Sequence, residues 1–457
     1  MRQATQNIVY YHTPSRIIFY YLVRMQPVQN QSSRVTQWLR NSNGFVFSTY
    51  ATVAAFCLYT CIFAFRKTYT VGTFDGLVFL GITYKSWLVI TQVIGYGLAK
   101  FLGIKLISEL KSSARVTSIL IMIATAGTSW LLFAITPPPY NIIFLFTNGL
   151  PLGMGWGLVF SYLEGRRFTE VLGAGVSVSF IFSSGFAKSV GGFVIKFWGV
   201  SEYWMPFVSA CIFLLPLLFF LWMLNQVPPP DALDESLRTR RQPMNQEERR
   251  KFLFMFAPGL ALLILTYMLL TAFRDFRDNF SADVWKTLGY GDSPGIFTKT
   301  EVPVTIAILI IMGSIMFIRS NRMALMINHV IILAGMLLVG ISTYLFEQHV
   351  INATQWMILL GMGLYMGYVP FNSILFDRMI ATFKYVSTVG FLIYLADAFG
   401  YLGSIGVLLY KEFGQHNLSW LEFFIQSGYI MAVAGSLLIS GSMVYFYFKH
   451  KQWAKNM

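Results

Sequence analysis

Apolar runs of about twenty residues recur along the whole chain, separated by short clusters of charge, proline or glycine. A helix needs about 20 apolar residues to cross a bilayer core, whereas barrel strands would alternate in polarity over about ten. The pattern predicts twelve transmembrane helices, over 45–72, 85–108, 116–136, 142–164, 170–198, 203–225, 252–280, 295–318, 323–346, 352–376, 382–410 and 421–449. The fold class expected is an all-α integral membrane protein. Composition agrees: 12% of the 457 residues are charged and 56% are hydrophobic, whereas a soluble domain is about 25% charged.

The net charge of +14 would suggest nucleic acid in a soluble protein. Its distribution argues instead for orientation. Most basic residues fall in the tails and alternate loops, among them Arg34, Arg40, Lys111, Arg115, Arg166, Arg240, Arg322, Arg378 and Lys451, while Lys85, Lys196, Lys286, Lys299 and Lys411 fall on the other side. By the positive-inside rule both termini are expected in the cytosol, in a plasma (inner) membrane. Residues 1–44 form a basic tail. Its apolar run at 17–23 is too short to span and lacks a cleavage pattern, and Met25 offers an alternative start, so residues 1–24 are expected to be dispensable. Cys57, Cys61 and Cys211 lie in apolar runs with no disulfide or metal spacing.

Residues 226–251, rich in proline and mixed charge, read as a cytosolic linker between two six-helix halves, 45–225 and 252–449, with a short tail at 450–457. The halves repeat. Ala-Phe-Arg ends an apolar run at Arg66 and again 208 positions later at Arg274. Tyr59 and Tyr267 each precede that arginine by seven residues, and Leu-Gly-Met-Gly at 152–155 returns at 360–363. An even number of spans per half makes the repeats parallel, an arrangement that places substrate at the midplane between halves.

Charge inside a span costs at least ~2.5–3.5 kcal/mol and usually faces a cavity. Four spans carry such groups in stripes at helical spacing: Gln92, Tyr96 and Lys100; Ser177, Ser184 and Lys188; Tyr267, Thr271, Arg274 and Arg277; Tyr394, Asp397, Tyr401 and Ser404. Arg66, Arg274 and Lys100 admit two readings, as cavity residues or as interface anchors that snorkel. Lys67 and Arg277 are expected at the interface. Lys188 and Asp397 sit mid-span in corresponding helices and are expected to pair across the cavity. Four cations against one carboxylate favour an anion, whose oxygens the arginine fork matches.

Six short motifs in order then resemble the major facilitator superfamily, and within it the organophosphate:phosphate antiporters that carry glycerol-3-phosphate and hexose phosphates. They are Arg66-Lys67, the Tyr-Gly-x-x-Lys-Phe of 96–101, the Gly-Met-Gly-Trp of 153–156, the Ala-Lys-Ser-Val-Gly-Gly of 187–192, Arg274, and the Phe-Gly-Tyr-Leu-Gly of 399–403. The likeness covers residues 45–449. It implies a major facilitator fold, substrate contacts at Arg66, Lys100, Lys188 and Arg274, and an arginine from each half gripping the anion. The sequence departs from the family in three places: Lys188 replaces a site histidine, Asp397 replaces a small residue, and in the loop after the second helix Glu109 and Leu110 replace the usual Asp and Arg.

The function expected is a secondary active transporter of a small anionic metabolite, phosphorylated by the family likeness, working by alternating access. Tyr59, Tyr96 and Tyr267 join the four cations as substrate-binding candidates, with Asp397 as a coupling or ion-pairing group. Phosphate or a proton is the counter-ion, no cofactor or metal is expected, nucleic acid is not a partner, and a monomer suffices. Two other readings fit the same residues: a transporter-like sensor of an organophosphate, and a proton-coupled carrier of a carboxylate or other solute. No enzyme is expected, because no Ser/His/Asp or Cys/His arrangement and no phosphate-binding glycine loop occurs.

Overall fold

A computed structural model describes residues 33–108, 112–163, 169–230, 246–383, 389–415 and 418–455. The tail at 1–32, most of the linker and Glu109 and Leu110 lie outside the described residues. A short helix α1 (Arg34–Asn41), capped by Ser33, lies within the expected basic tail and bonds through Thr36 Oγ1 to the Gln226 carbonyl at 3.0 Å. The spans that follow are α2 (Gly44–Lys67), α3 (Tyr84–Ser108), α4 (Arg115–Ile135), the pair α5 (Ile143–Leu152) and α6 (Gly155–Phe160), α7 (Thr169–Trp198) and α8 (Met205–Asn225). After the linker come α9 (Gln246–Thr287), α10 (Ile296–Met316), α11 (Asn321–Glu347), the pair α12 (Ala353–Ser373) and α13 (Leu375–Phe383), α14 (Val389–Leu409) and α15 (Trp420–Lys455). Counting each pair as one span, this is the twelve-helix membrane architecture. Two spans are broken: α5 and α6 part around Gly153, and α12 and α13 bend by 49°.

Local chemistry sets the ends. Asn43 caps α2 by accepting the Val46 N–H at 2.8 Å. A full capping box between Asn352 and Gln355 starts α12. At 42 residues α9 is longer than a bilayer requires. It extends past the expected end at 280, because the charges that resemble a loop, Asp283 and Lys286, meet partners from the first half. A two-residue hairpin, β1 (Val78–Phe79) and β2 (Ile82–Thr83), turns through Leu80 and Gly81, both at positive φ.

Helix α3 is held against α5 and α6 by close backbone approach. A Cβ on Gly153 would lie 2.6 Å from the Ala99 Cβ and 2.7 Å from the Tyr96 carbonyl. The first and second halves join chiefly along α7–α10 and α3–α14. Gly185 permits the first contact, since a Cβ there would lie 2.6 Å from the Phe297 carbonyl. Ion pairs and hydrogen bonds between the halves gather at the face opposite the termini, here called the far face. They include Lys85–Asp283 at 2.5 Å, Lys286–Asp75, Thr83–Glu412 at 2.5 Å and Thr298–Ser189 at 2.7 Å.

Gly153→Val forces overpacking between α3 and α6 and is expected to cost ~1–3 kcal/mol. A lowered melting temperature of the detergent-purified protein checks this. Wild-type melting would remove the close approach as the reason for the glycine.

Candidate functional site

The C-terminus of α2 carries the first arginine, and its placement follows from hydrogen-bond satisfaction. A helix leaves its last four carbonyls without intrahelical donors. In α2 all four find side chains. Thr68 Oγ1 bonds the Ala64 carbonyl at 3.0 Å, and Trp130 Nε1 and Asn148 Nδ2 bond that of Phe65 at 2.6 and 3.1 Å. Gln92 Nε2 bonds that of Arg66 at 2.8 Å, and Thr70 Oγ1 that of Lys67 at 2.8 Å. Donors from α3, α4 and α5 thus clamp the turn that bears Arg66 and Lys67, and the helix dipole favours cations there.

Those residues open onto a cavity of about 370 Å³ between the two halves. Arg66, Arg274, Lys100, Tyr59, Tyr96 and Asp397 all line it. Arg66 lies over the Tyr96 ring, its Cζ 3.5 Å from the centroid, and its Nε is buried with no hydrogen-bond partner. Among the described residues it makes no ion pair. Arg274 lies over the Tyr368 ring at 4.3 Å, but its Nε and Nη2 donate to Asp275 Oδ1 at 3.2 and 2.5 Å. Ser404 donates to the other oxygen of Asp275 at 2.8 Å.

The expected pair Lys188–Asp397 does not form. Lys188 lies behind the wall, bonded to Asp278 Oδ1 at 2.6 Å and to Ser184 Oγ at 2.9 Å. Asp397 instead faces Lys100 at 3.6 Å and accepts the Tyr267 hydroxyl at 2.6 Å. Tyr267 therefore stands behind the wall, orienting Asp397 and accepting from the Asn372 amide at 3.2 Å. The nearer partners win because α9 presents a carboxylate directly to α7, a contact that correspondence between the fifth and eleventh spans could not reveal.

Lys67 and Arg277 are not at the interface. Lys67 is 1% exposed, lines the cavity, donates to Asn279 Oδ1 at 2.5 Å and faces Asp278 at 3.7 Å. Arg277 is buried in an ion pair with Glu301 at 2.7 Å. Burial of that kind requires a nearby opposite charge, and α9 and α10 provide it. The site residues that sequence reasoning missed are Asp275 and Asp278. Their signal was present in Arg274-Asp275-Phe276-Arg277-Asp278, where Asp278 follows Arg274 by one helical turn.

Five cations, Arg66, Lys67, Lys100, Lys188 and Arg274, thus meet three carboxylates, Asp275, Asp278 and Asp397. Fully ionised, the site carries two surplus positive charges. They reside at Arg66, which makes no ion pair within 4 Å among the described residues, and at Lys67 and Lys188, which share Asp278. Aromatic rings form much of the remaining wall, including Phe63, Trp156, Phe180 and Tyr365.

Residues 68–451 match a family model described as "Family of unknown function (DUF5690)", and no curated protein matches the chain. Several solved structures share the fold. A D-xylose–proton symporter aligns at TM-score 0.57 and 18% identity, covering 89% of this chain and 98% of its own. A bacterial homologue of the human drug peptide transporters PepT1 and PepT2 aligns at 0.57 and 11%, covering 90% and 98%. The nucleoside transporter NupG aligns at 0.56 and 14%, covering 87% and 99%. The chain has the major facilitator fold that these proteins share.

Removing one partner of a buried pair costs ~3–5 kcal/mol, so Lys188→Ala should destabilise the protein by about that much. Combining it with Asp278→Asn should recover part of the loss, whereas Lys188→Ala with Asp397→Asn should be additive within ~0.5 kcal/mol. Denaturation of the single and double variants tests the assignment, and a large coupling between Lys188 and Asp397 would overturn it.

Proposed function

The chain belongs to the DUF5690 family of unknown function, and from that premise we propose that it carries a small organic anion across the membrane by alternating access. The observation that carries this reading is Arg66, a guanidinium buried beside the cavity whose Nε has no hydrogen-bond partner and which makes no ion pair within 4 Å among the described residues. Such a group is costly in a membrane interior unless a solute anion or water meets it. The two surplus charges around it point the same way. The fold adds support, since the proteins that share it are described as transporters of small solutes.

Phosphate and carboxylate both suit the planar fork of Arg66. The motif likeness to organophosphate:phosphate antiporters favours a phosphate monoester, with inorganic phosphate or a proton as the counter-ion. Arg274 is the second grip, held in reserve by Asp275 and released when an anion competes for it. Lys100 extends the binding wall, with Tyr59 and Tyr96 beside it. The aromatic lining suits the carbon body of the solute. The excess of basic residues in alternate loops supports a cytosolic position for both termini by the positive-inside rule.

Arg66→Lys keeps the charge but loses the fork and its stacking on Tyr96. It should weaken anion-dependent thermal stabilisation at least tenfold in a panel of inorganic phosphate, glycerol phosphate, benzoate and succinate. Arg274→Lys should weaken it less, because Asp275 already occupies that arginine. Uptake into proteoliposomes then tests transport itself: binding without uptake would replace the carrier by a sensor. Parent-like binding in Arg66→Lys would sink the anion site.

A further inference from the structure

The charges lining the cavity are sorted by half. Helices α2 and α3 bring Arg66, Lys67 and Lys100 and no carboxylate, whereas α9 and α14 bring Asp275, Asp278 and Asp397 and a single cation, Arg274, which Asp275 already holds. At Asp278 this sorting becomes a bond between the halves. Its carboxylate, on α9, takes Lys188 and the Ser184 hydroxyl from α7 and faces Lys67 from α2. Asn279 on the next position of α9 bonds Lys67 as well. Farther along α9, Asp283 pairs with Lys85 of the first half. Opening the far face therefore requires α9 to part from α2 and α7, and the Asp278 cluster must break in that movement.

We propose that Asp278 ties opening of the far face to anion occupancy of the cavity. The proposal rests on the anion reading of the same site. In the empty cavity Asp278 is the carboxylate that touches both lysines. Parting α9 from α2 and α7 then removes the nearest counter-charge from two buried cations. An anion gripped by Arg66 lies beside Lys67, the next residue on the same turn, and supplies negative charge from the solute. Asp278 is then free to withdraw with α9 into the water that enters the opening. The empty carrier is held closed at the far face and the loaded one is released. Exchange of one anion for another thereby runs faster than the return of an empty carrier.

The test reads opening directly and needs no ligand. Ser189 of α7 bonds Thr298 across the far interface, so Ser189→Cys reports separation there through maleimide labelling of protein in nanodiscs. In that background Asp278→Asn should label at least fivefold faster, and Asp278→Glu should label near the parent rate. The native Cys61, 3% exposed, should stay unlabelled, which separates opening from unfolding. Should Asp278→Asn fail to fold, Lys188→Gln with Asp278→Asn removes the same bond and leaves one unpaired lysine; it too should label faster. Unchanged labelling in a folded variant, with Arg66-dependent anion binding intact, overturns this inference alone. Anion binding that is absent from the parent, or indifferent to Arg66→Lys, overturns the anion reading and this inference with it.

Discussion

A charge taken out of water into the middle of a membrane protein must be matched there, and much of this structure is organised by that requirement. The interior holds Lys67, Lys188, Arg277, Asp275, Asp278, Asp397 and Glu301, each nine-tenths or more buried. All are paired with opposite charge within 4 Å. Arg66, beside the same cavity, makes no ion pair within 4 Å among the described residues and instead lies over the face of the Tyr96 ring. Isolated burial of this kind costs several kcal/mol. The surrounding frame, with four clamped carbonyls at the end of α2, is what holds the arginine in place.

The same requirement explains how the halves meet. The first half lines the cavity with cations alone and the second with three carboxylates and Arg274, so the halves attract across it. Contacts between the halves continue toward the far face, where Lys85–Asp283 repeats the polarity set by Asp278, Lys286–Asp75 reverses it, and Glu412 accepts from the Thr83 and Ser86 hydroxyls. Glycines finish the fit: Gly185 lets α7 reach the backbone of α10, and Gly361 leaves room for the Arg277 guanidinium, which a Cβ would approach to 2.7 Å. A carrier has to break and remake such contacts in each cycle. An arrangement in which solute anion and protein carboxylate answer to the same lysines makes the breaking conditional on the solute.

Much of the fold was legible in the chain itself. Run length alone sets twelve spans, because hydrophobic thickness fixes helix length. The offset of 208 between the two Ala-Phe-Arg stretches reads as an internal repeat, and Arg66 and Arg274 both line one cavity. The stripes through Tyr96 and Lys100 and through Asp397 and Tyr401 follow from helical periodicity and do face that cavity. Periodicity states which residues share a face of one helix.

It does not state which helix that face meets, and there the tertiary structure decided. Lys188 pairs with Asp278 rather than Asp397 because α9 presents the Asp278 carboxylate within 2.6 Å of it, where the Ser184 hydroxyl of α7 also donates. Lys67 is buried rather than snorkelling because α9 supplies Asp278 and Asn279 within reach. Asn148 and Trp130 are unremarkable in an apolar run, yet from two different helices they satisfy one carbonyl of α2. The length of α9 beyond the membrane depends on Lys85 and Asp75, far away in sequence. The chain by itself determined how many helices cross the bilayer and which side chains they present inward, since both are local consequences of hydrophobicity and a 3.6-residue repeat. Only the packing of distant helices decided which charges neutralise one another, because pairing in a low-dielectric interior is set by distances of a few ångströms between chains of atoms that sequence order does not relate.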